Sequence, residues 1–331
     1  FFGYPITPQN EIPEYMSKEL PKIEGGTFVQ AESEVAAINM VYGSASTGVR
    51  CMTSSSSPGI ALKQEGIAYC CGAELPCVIG SVSRGGPGLG SIQPAQSDYF
   101  QATRGGGNGD YRVIVYAPYN LQELSDLTQK AFYMADKYRN PVMLLLDGTI
   151  AQMMEGVEIR DITFPPIDKS NWAITGKKGR KEHHIITSIY LDTDTCEKHN
   201  HKLFKKYDEI EKNEAEVELY LTDDAEIIIA SYGTSARIVK NAINDLRKKG
   251  IKAGLIRPIT LWPFPYAAFK NISEPCKAVM SIELSMGQMI QDVKIGVAGK
   301  YEIGFYGRCG GNLFDSEEVV NAIEKYYKEV K

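Results

Sequence analysis

The chain is 331 residues long and 43% apolar, with a formal net charge of -5 and a pI near 5.6. That length can bury at least one large core and makes two domains the natural expectation. The acidic balance gives no basic footprint for nucleic acid. The central apolar run Val142–Leu146 falls far short of the roughly 20 residues a membrane helix needs, so neither a nucleic-acid nor a membrane partner is expected.

At the amino end, Phe1-Phe2-Gly3 reads as the end of a strand. No signal pattern is present, but a native amino-terminal segment is expected before Phe1, so that lack carries little weight. A loop, Gly3-Tyr4-Pro5-Ile6-Thr7-Pro8-Gln9, comes next. Val29-Gln30 then leads into a helix predicted over Ser33–Tyr42, with Gly43 and Gly48 in the turns beyond it. Val49–Thr53 is predicted as a strand. Ser54–Ser57, ahead of Pro58-Gly59, reads as the amino terminus of a helix over Pro58–Tyr69. Strands are expected at Cys77–Val82, Arg112–Tyr116 and Val142–Leu146. Between the last two, Asn120–Lys137 carries Leu121, Leu124, Leu127 and Ala131 at helical spacing. Strands separated by helices imply parallel βαβ units.

Composition changes after Gly156. Prolines, a basic stretch at Lys177–Lys181 and a heavily charged region over 192–224 mark a surface connector, with a solvated helix around Glu197–Tyr220. A second α/β unit follows: strand Glu226–Ala230, helix Ser235–Lys249, strands Ala253–Ile256 and Ala278–Ile282, and a closing helix Asp315–Tyr327. The expected division is therefore 1–160, 161–224 and 225–331.

The seven cysteines lie mostly in apolar stretches such as Tyr69–Val78 and never as Cys-x-x-Cys. That usage suits small buried hydrophobes and a cytoplasmic location. It assigns any iron–sulfur chemistry to another chain. His183, His184, His199 and His201 lie among lysines and glutamates near Cys196 without an apolar frame. They read as solvated surface, and no metal site is expected in this chain.

Three segments sit where apolar runs hand over to polar turns, which is where open α/β sheets place ligands. Glu34 opens a helix whose next turns, Val35–Val41, are almost entirely apolar, and it shares a face with Ala37, Ile38 and Val41. A carboxylate in such company has the character of a functional acid, although a first-turn glutamate also simply suits the helix dipole. Arg84 ends an apolar run before Gly85-Gly86-Pro87-Gly88, a setting for recognising a carboxylate or for an ordinary surface arginine. Ser54–Ser57 suits binding of an anion or a polar ligand edge, and equally a helix cap. Gly86-x-Gly88-x-Gly90 is interrupted by Pro87 and lacks dinucleotide spacing, and Gly105–Gly109 matches no phosphate fingerprint, so NAD is rejected. Asp147-Gly148 is preceded by Leu146 in place of the glycine of a Gly-Asp-Gly diphosphate–magnesium motif.

Taken in order, Gly3–Pro8, Gln30–Asn39, Met52–Gly59, Glu74-Leu75-Pro76-Cys77, Arg84, Arg257–Pro265 and Phe305–Arg308 resemble the α subunit of 2-oxoacid:ferredoxin oxidoreductases, most nearly the multi-subunit 2-ketoisovalerate type. The resemblance covers nearly the whole chain. It implies an α/β architecture, with a thiamine-diphosphate pyrimidine-binding domain over a parallel sheet and a transketolase C-terminal-like α/β domain. Glu34 matches the glutamate that hydrogen-bonds the aminopyrimidine, Thr7 and Arg84 match groups that meet the 2-oxo acid, and Pro5 matches a residue lining the cofactor. Ser55 and Ser56 are assigned to the same cofactor site. The absent Gly-Asp-Gly motif agrees with a β subunit holding the diphosphate and Mg2+. The resemblance further implies γ and ferredoxin-like subunits, iron–sulfur clusters elsewhere, ferredoxin and coenzyme A as partners, and a dimer of hetero-oligomers. Family members usually carry further residues before the Tyr-Pro-Ile-Thr motif. The reaction implied is oxidative decarboxylation of a 2-oxo acid to acyl-CoA, with 2-oxoglutarate or pyruvate as alternative substrates. A transketolase-like transferase and a non-catalytic scaffold subunit are the rival readings.

Overall fold

The computed structural model describes residues 1–330. The chain opens with β1 (Phe2–Gly3), α1 (Glu11–Glu19) and β2 (Val29–Gln30), and β1 and β2 pair in parallel. Then come α2 (Glu34–Ser46), β3 (Met52–Ser56), α3 (Ser57–Gly72), β4 (Cys77–Ser83), α4 (Tyr99–Arg104), β5 (Ile114–Tyr116), α5 (Leu121–Tyr138), β6 (Pro141–Asp147) and α6 (Gly148–Gln152). The connector carries α7 (Thr193–Asn213). The rest comprises β7 (Val217–Tyr220), β8 (Ile227–Ala230), α8 (Gly233–Lys248), β9 (Ala253–Pro258), β10 (Thr260–Trp262), α9 (Tyr266–Lys270), β11 (Ala278–Glu283), α10 (Met289–Val297), β12 (Ile303–Gly307) and α11 (Ser316–Val330).

Two five-stranded sheets result, in the orders β10-β5-β6-β4-β3 and β12-β11-β8-β9-β7. Their pairs are parallel except at one edge of each, where β10 meets β5 and β7 meets β9 antiparallel. The α/β class with parallel units is the one expected. β4, β6 and β11 are buried along their whole lengths, so their apolar runs show no alternation, as in sheets covered on both faces.

Several boundaries differ from the sequence expectation. α2 runs through Gly43 to Ser46. Only Gly48, at φ +82°, takes the left-handed conformation that ends a helix. Open space around Gly43 means that nothing forces a turn there. β3 extends through Ser56, so the serine run lies chiefly in a strand and not at a helix amino terminus. Buried backbone groups need partners, and the ladder from Met52↔Val78 to Ser56↔Val82 supplies them.

The charged connector helix ends at Asn213, and β7 follows within the stretch predicted as helix. The helix is not merely solvated. Leu203, Tyr207 and Ile210, one narrow stripe at four- and three-residue spacing, are buried. Tyr207 meets the Trp262 ring edge-on at 5.9 Å. Trp262 belongs to β10, a strand from late in the chain that closes the first sheet. The two halves are thereby tied by backbone pairing and by a common apolar core.

Candidate active site

Ser33 opens α2 by accepting the Ala36 N–H at 3.1 Å, which places Glu34 in the first helical turn. The Glu34 side chain is 7% exposed and accepts no hydrogen bond from any described residue. Shape holds it in place. α3 presents Gly59 to it so closely that a Cβ there would lie 2.8 Å from Glu34 Oε1 and 2.1 Å from Ser55 Oγ. Glu34 and Ser55 therefore converge on one spot that only glycine leaves open.

Along β3 the side chains alternate, so Ser55 faces away from Ser54 and Ser56. Ser54 Oγ donates to Gln9, whose amide nitrogen reaches the Tyr4 carbonyl at 3.3 Å, tying the Tyr4–Gln9 loop to the strand. The Ser55 and Ser56 hydroxyls are buried without a partner, as is that of Ser81 on β4, while the Ser83 hydroxyl is turned to the Asp98 carboxyl. Ser55 is paired in register with Ser81, and Ser83 with Asp147, so these residues share one face of the sheet. A row of buried, unpartnered hydroxyls is uncommon in a folded protein and marks a place prepared for something else to bond.

Arg84 follows β4 and is 7% exposed. Its Nη1 donates to the Thr7 carbonyl at 2.8 Å and its Nη2 to the Leu89 carbonyl at 3.3 Å, while Nε is buried without an acceptor. The Arg84 backbone N–H meets Ser57 Oγ at 2.9 Å, and that hydroxyl lies 2.5 Å from Asp98 Oδ2. Burial pushes the Asp98 carboxyl up, against the pull of Ser57, Ser83 and the Arg84 guanidinium.

The structure thus groups the sequence-identified residues in two clusters, Glu34 with Ser55 and Arg84 with Thr7, joined through Ser56-Ser57. Thr7 is half-buried, and its hydroxyl is approached by Asn10 Nδ2 at 3.5 Å. Pro5 stands apart. It is exposed and lines a cavity of about 230 Å³ with Gly3, Asn10, Pro13, Phe28 and Gln30. Three larger cavities, of about 330, 520 and 660 Å³, include neither Glu34 nor Arg84.

The second unit holds the Arg84 loop. Gln96 is buried and donates to the Tyr232 carbonyl at 2.8 Å, while its side-chain oxygen accepts from Ser235 and from the Leu284 N–H at 3.0 Å. A Cβ on Gly85 would lie 2.7 Å from the Gly310 carbonyl carbon. Asp147, beside the missing diphosphate motif, caps α6 at Thr149 and Ile150 and accepts the Thr234 hydroxyl at 2.9 Å. Burial pushes its carboxyl up.

The histidines serve local roles. His184 Nδ1 lies 2.8 Å from the Ala173 carbonyl and His199 Nε2 lies 2.7 Å from that of Gly72, while His201 is exposed. Among the described residues no group of three or more histidine, cysteine, aspartate or glutamate side chains is placed to hold a metal. No described helix is long and apolar enough to cross a membrane.

The residues not anticipated from sequence are Gly59, Lys63, Gln96 and Asp98. Only the first two left a usable signal: Gly59, Lys63 and Gly66 fall on one face of α3 by spacing alone.

Residues 1–219 match the family described as pyruvate flavodoxin/ferredoxin oxidoreductase, thiamine diphosphate-binding, and residues 225–319 match pyruvate:ferredoxin oxidoreductase core domain II. The chain is 46% identical over 325 residues to ketoisovalerate oxidoreductase subunit VorB of Methanothermobacter marburgensis, covering 98% of this chain and 92% of that protein. Among solved structures, it superposes with a TM-score of 0.88 at 29% identity on 2-oxoglutarate:ferredoxin oxidoreductase from Magnetococcus marinus with 2-oxoglutarate, coenzyme A and succinyl-CoA bound. That match covers 99% of this chain and 62% of the longer one. A split-gene transketolase, an inactive β4 tetramer, shares the fold at a TM-score of 0.62 and 14% identity, over 100% of this chain and 92% of that one.

Proposed function

The chain belongs to the thiamine diphosphate-dependent 2-oxoacid:ferredoxin oxidoreductases as one subunit of such an enzyme, and we propose that it is the α subunit of a 2-ketoisovalerate-oxidising member. The observation that carries this reading is the unpaired Glu34 carboxylate, held with the unpartnered Ser55 hydroxyl against Gly59. The donor and acceptor set fits the pyrimidine end of the cofactor: a carboxylate for a ring nitrogen, and free hydroxyls for polar edges. Glu34 and Ser55 would hold that end; Ser56, on the opposite face of β3, and Pro5, in a separate cavity, are not placed with them. Thiamine diphosphate supplies the electron sink that lets a 2-oxo acid lose carbon dioxide.

This chain's own residues bind and orient. Glu34 holds a proton-accepting oxygen in a closed, weakly screened setting, where a hydrogen bond to a ring nitrogen is strong. Arg84, fixed by the Thr7 and Leu89 carbonyls, points a preformed guanidinium for the substrate carboxylate, and Thr7 offers its hydroxyl to the keto oxygen. In this reading residues 1–160 form the pyrimidine-facing domain, 161–224 the connector and 225–331 the transketolase-like domain, with β10 reaching back to complete the first sheet.

A β subunit carries the diphosphate and Mg2+, γ and ferredoxin-like subunits carry the iron–sulfur clusters, and coenzyme A and ferredoxin complete the reaction, in a dimer of hetero-oligomers. The buried free thiols fit a cytoplasmic location. Identity to a ketoisovalerate subunit at 46%, against 35% to a 2-oxoglutarate synthase subunit, favours the branched-chain substrate.

The test is anaerobic co-expression with the partner subunits and viologen reduction with coenzyme A and a panel of 2-oxo acids. Rapid reduction with 2-ketoisovalerate, lost in Glu34→Gln, is expected. Reduction with 2-oxoglutarate or pyruvate alone would change the substrate. No reduction by a complex containing intact clusters and cofactor would overturn the reading.

A further inference from the structure

An aspartate that opens a helix ordinarily gives its carboxylate to the N–H groups of the first turn. Asp98 opens α4, yet its side chain makes no capping bond. The second α/β unit supplies the cap instead. Gln288, at the start of α10, accepts the Phe100 N–H at 2.8 Å through its side-chain oxygen. Its amide N–H reaches the Ser97 carbonyl at 2.7 Å. Gln96, next to Ser97, is joined to the same unit by its backbone as well as its side chain. Its N–H meets the Leu284 carbonyl at 2.8 Å, and its own carbonyl accepts the Tyr232 hydroxyl at 3.2 Å. The stretch from Gln96 to Phe100 is therefore held by residues far later in the chain.

Released from the cap, the buried Asp98 carboxylate faces the end of β4. It accepts the Ser57 hydroxyl at 2.5 Å, and the Ser83 hydroxyl is turned to it as well. Ser57 Oγ in turn accepts the Arg84 backbone N–H at 2.9 Å. A hydroxyl has one proton to give, so donating it to Asp98 leaves the Ser57 lone pairs directed at other donors. A bond to a carboxylate is also roughly twice as strong as one between neutral groups, which fixes that orientation. Thr7 and Leu89 locate the Arg84 guanidinium, while Ser57 and Asp98 locate the backbone from which it springs.

We propose that Asp98 is a positioning residue for Arg84, acting through Ser57, and that Gln288 frees it for that task by capping α4 in its place. The second unit thereby aims the substrate arginine of the first without touching substrate. The inference rests on the reading of Arg84 as the group that meets the 2-oxo-acid carboxylate. A guanidinium pairs with a carboxylate through two N–H groups in a fixed plane, so a small turn at its root is felt at its head. A misplacement of about 1 Å can cost about 10²-fold.

The experiment uses the assembled complex. Viologen reduction gives kcat and KM separately for coenzyme A and for the 2-oxo acid that the wild type turns over fastest, and calorimetry gives thiamine diphosphate binding. Arg84→Lys is expected to raise the oxo-acid KM most. Asp98→Ala and Ser57→Ala should each raise it by about 10–100-fold. Their kcat, coenzyme A KM and cofactor binding should stay at wild-type values, the pattern of a lost ground-state contact with one substrate. Asp98→Asn keeps an oxygen for Ser57 and should fall between Asp98→Ala and the wild type. Gln288→Leu leaves the Phe100 N–H to compete for Asp98 and should raise the same KM by less. In Arg84→Lys, adding Asp98→Ala should cost little more, because no guanidinium remains to be aimed.

A folded Asp98→Ala complex with the wild-type oxo-acid KM overturns the inference and leaves the Arg84 reading standing. So does one that weakens oxo acid, coenzyme A and cofactor alike, or whose effect simply multiplies that of Arg84→Lys. If Asp98→Ala does not fold, an unmoved oxo-acid KM in Ser57→Ala overturns it. An unmoved KM in Gln288→Leu overturns the part assigned to the second unit. An Arg84→Lys complex with the wild-type oxo-acid KM overturns the Arg84 reading instead.

Discussion

Two glutamates are buried beside loops that join strands to helices, one in each half of the molecule, and they are treated in opposite ways. Glu283 ends β11 with no exposed surface. Its oxygens accept the Ser281 and Ser285 hydroxyls, each at 2.9 Å, and the backbone N–H groups of Gln288, Met289 and Ile290 at 2.9–3.0 Å. Every lone pair is engaged, and the start of α10 is built around it. Glu34 opens α2 nearly as deep, yet no donor among the described residues meets it. One acid closes a helix end. The other is held by shape from Gly59, with its hydrogen bonds left for another molecule. Burial alone does not tell a structural acid from a functional one; the donors around it do.

The sharpest way to break this contrast is to neutralise each acid. Glu34→Gln should reduce turnover of the assembled enzyme by about 10²–10⁴-fold, the range for a lost acid–base group, with an unchanged melting temperature. Equal loss of stability would show that Glu34 is structural after all. Gly59→Ala should follow at about 10²-fold, because a methyl group 2.1 Å from Ser55 Oγ displaces both Ser55 and Glu34 by a fraction of an ångström or more. Steady-state kinetics at saturating cofactor check it.

Glu283→Ala should do the reverse. It orphans three backbone N–H groups at about 1–3 kcal/mol each, a loss of roughly 3 kcal/mol or more in urea denaturation. The soluble remainder should still turn over.

Lys63 sharpens the comparison through pH. Its folded value of about 8 lies below the unfolded one near 10.5, so the folded chain releases its proton first. The burial penalty is complete below about pH 8 and fades as pH rises toward 10.5, and stability from this group rises through that window. The stability of wild type relative to Lys63→Met should therefore rise between about pH 8 and 10.5, by up to roughly 3 kcal/mol, the equivalent of that shift. The rise should level off near pH 10.5; taking the difference between the two proteins removes the titration of buried tyrosines and cysteines. The smallest effect belongs to His201→Ala, an exposed position, with stability within about 0.5 kcal/mol of wild type and turnover unaltered.

Much of the site was legible before any coordinates. Glu34, Arg84 and the serines were found because each sits where an apolar run breaks into polar residues, and that break survives folding; Thr7 was carried by resemblance. Pro5 was carried by resemblance, and its exposure separates it from the Glu34 cluster. The misread boundaries have physical causes of one kind. Serine weakly favours caps and turns, so Ser54–Ser56 resembled a helix entrance. A buried parallel neighbour with matching backbone groups outweighed that preference. Likewise the connector helix looked solvated because charged residues outnumber the three that bury, and only the position of Trp262 shows what those three pack against.

The amino-acid sequence by itself determined the α/β class, the order of most elements and the identity of the polar groups at the strand ends. These follow from local periodicity and composition, which act within a few residues. Tertiary structure decided everything that joins distant parts of the chain. It set β10 against β5, sank Gln96 into the second unit, brought Gly59 against Glu34 and enclosed Lys63 behind it. Those contacts depend on close packing between surfaces far apart in sequence, and no local pattern records how near two backbones will come.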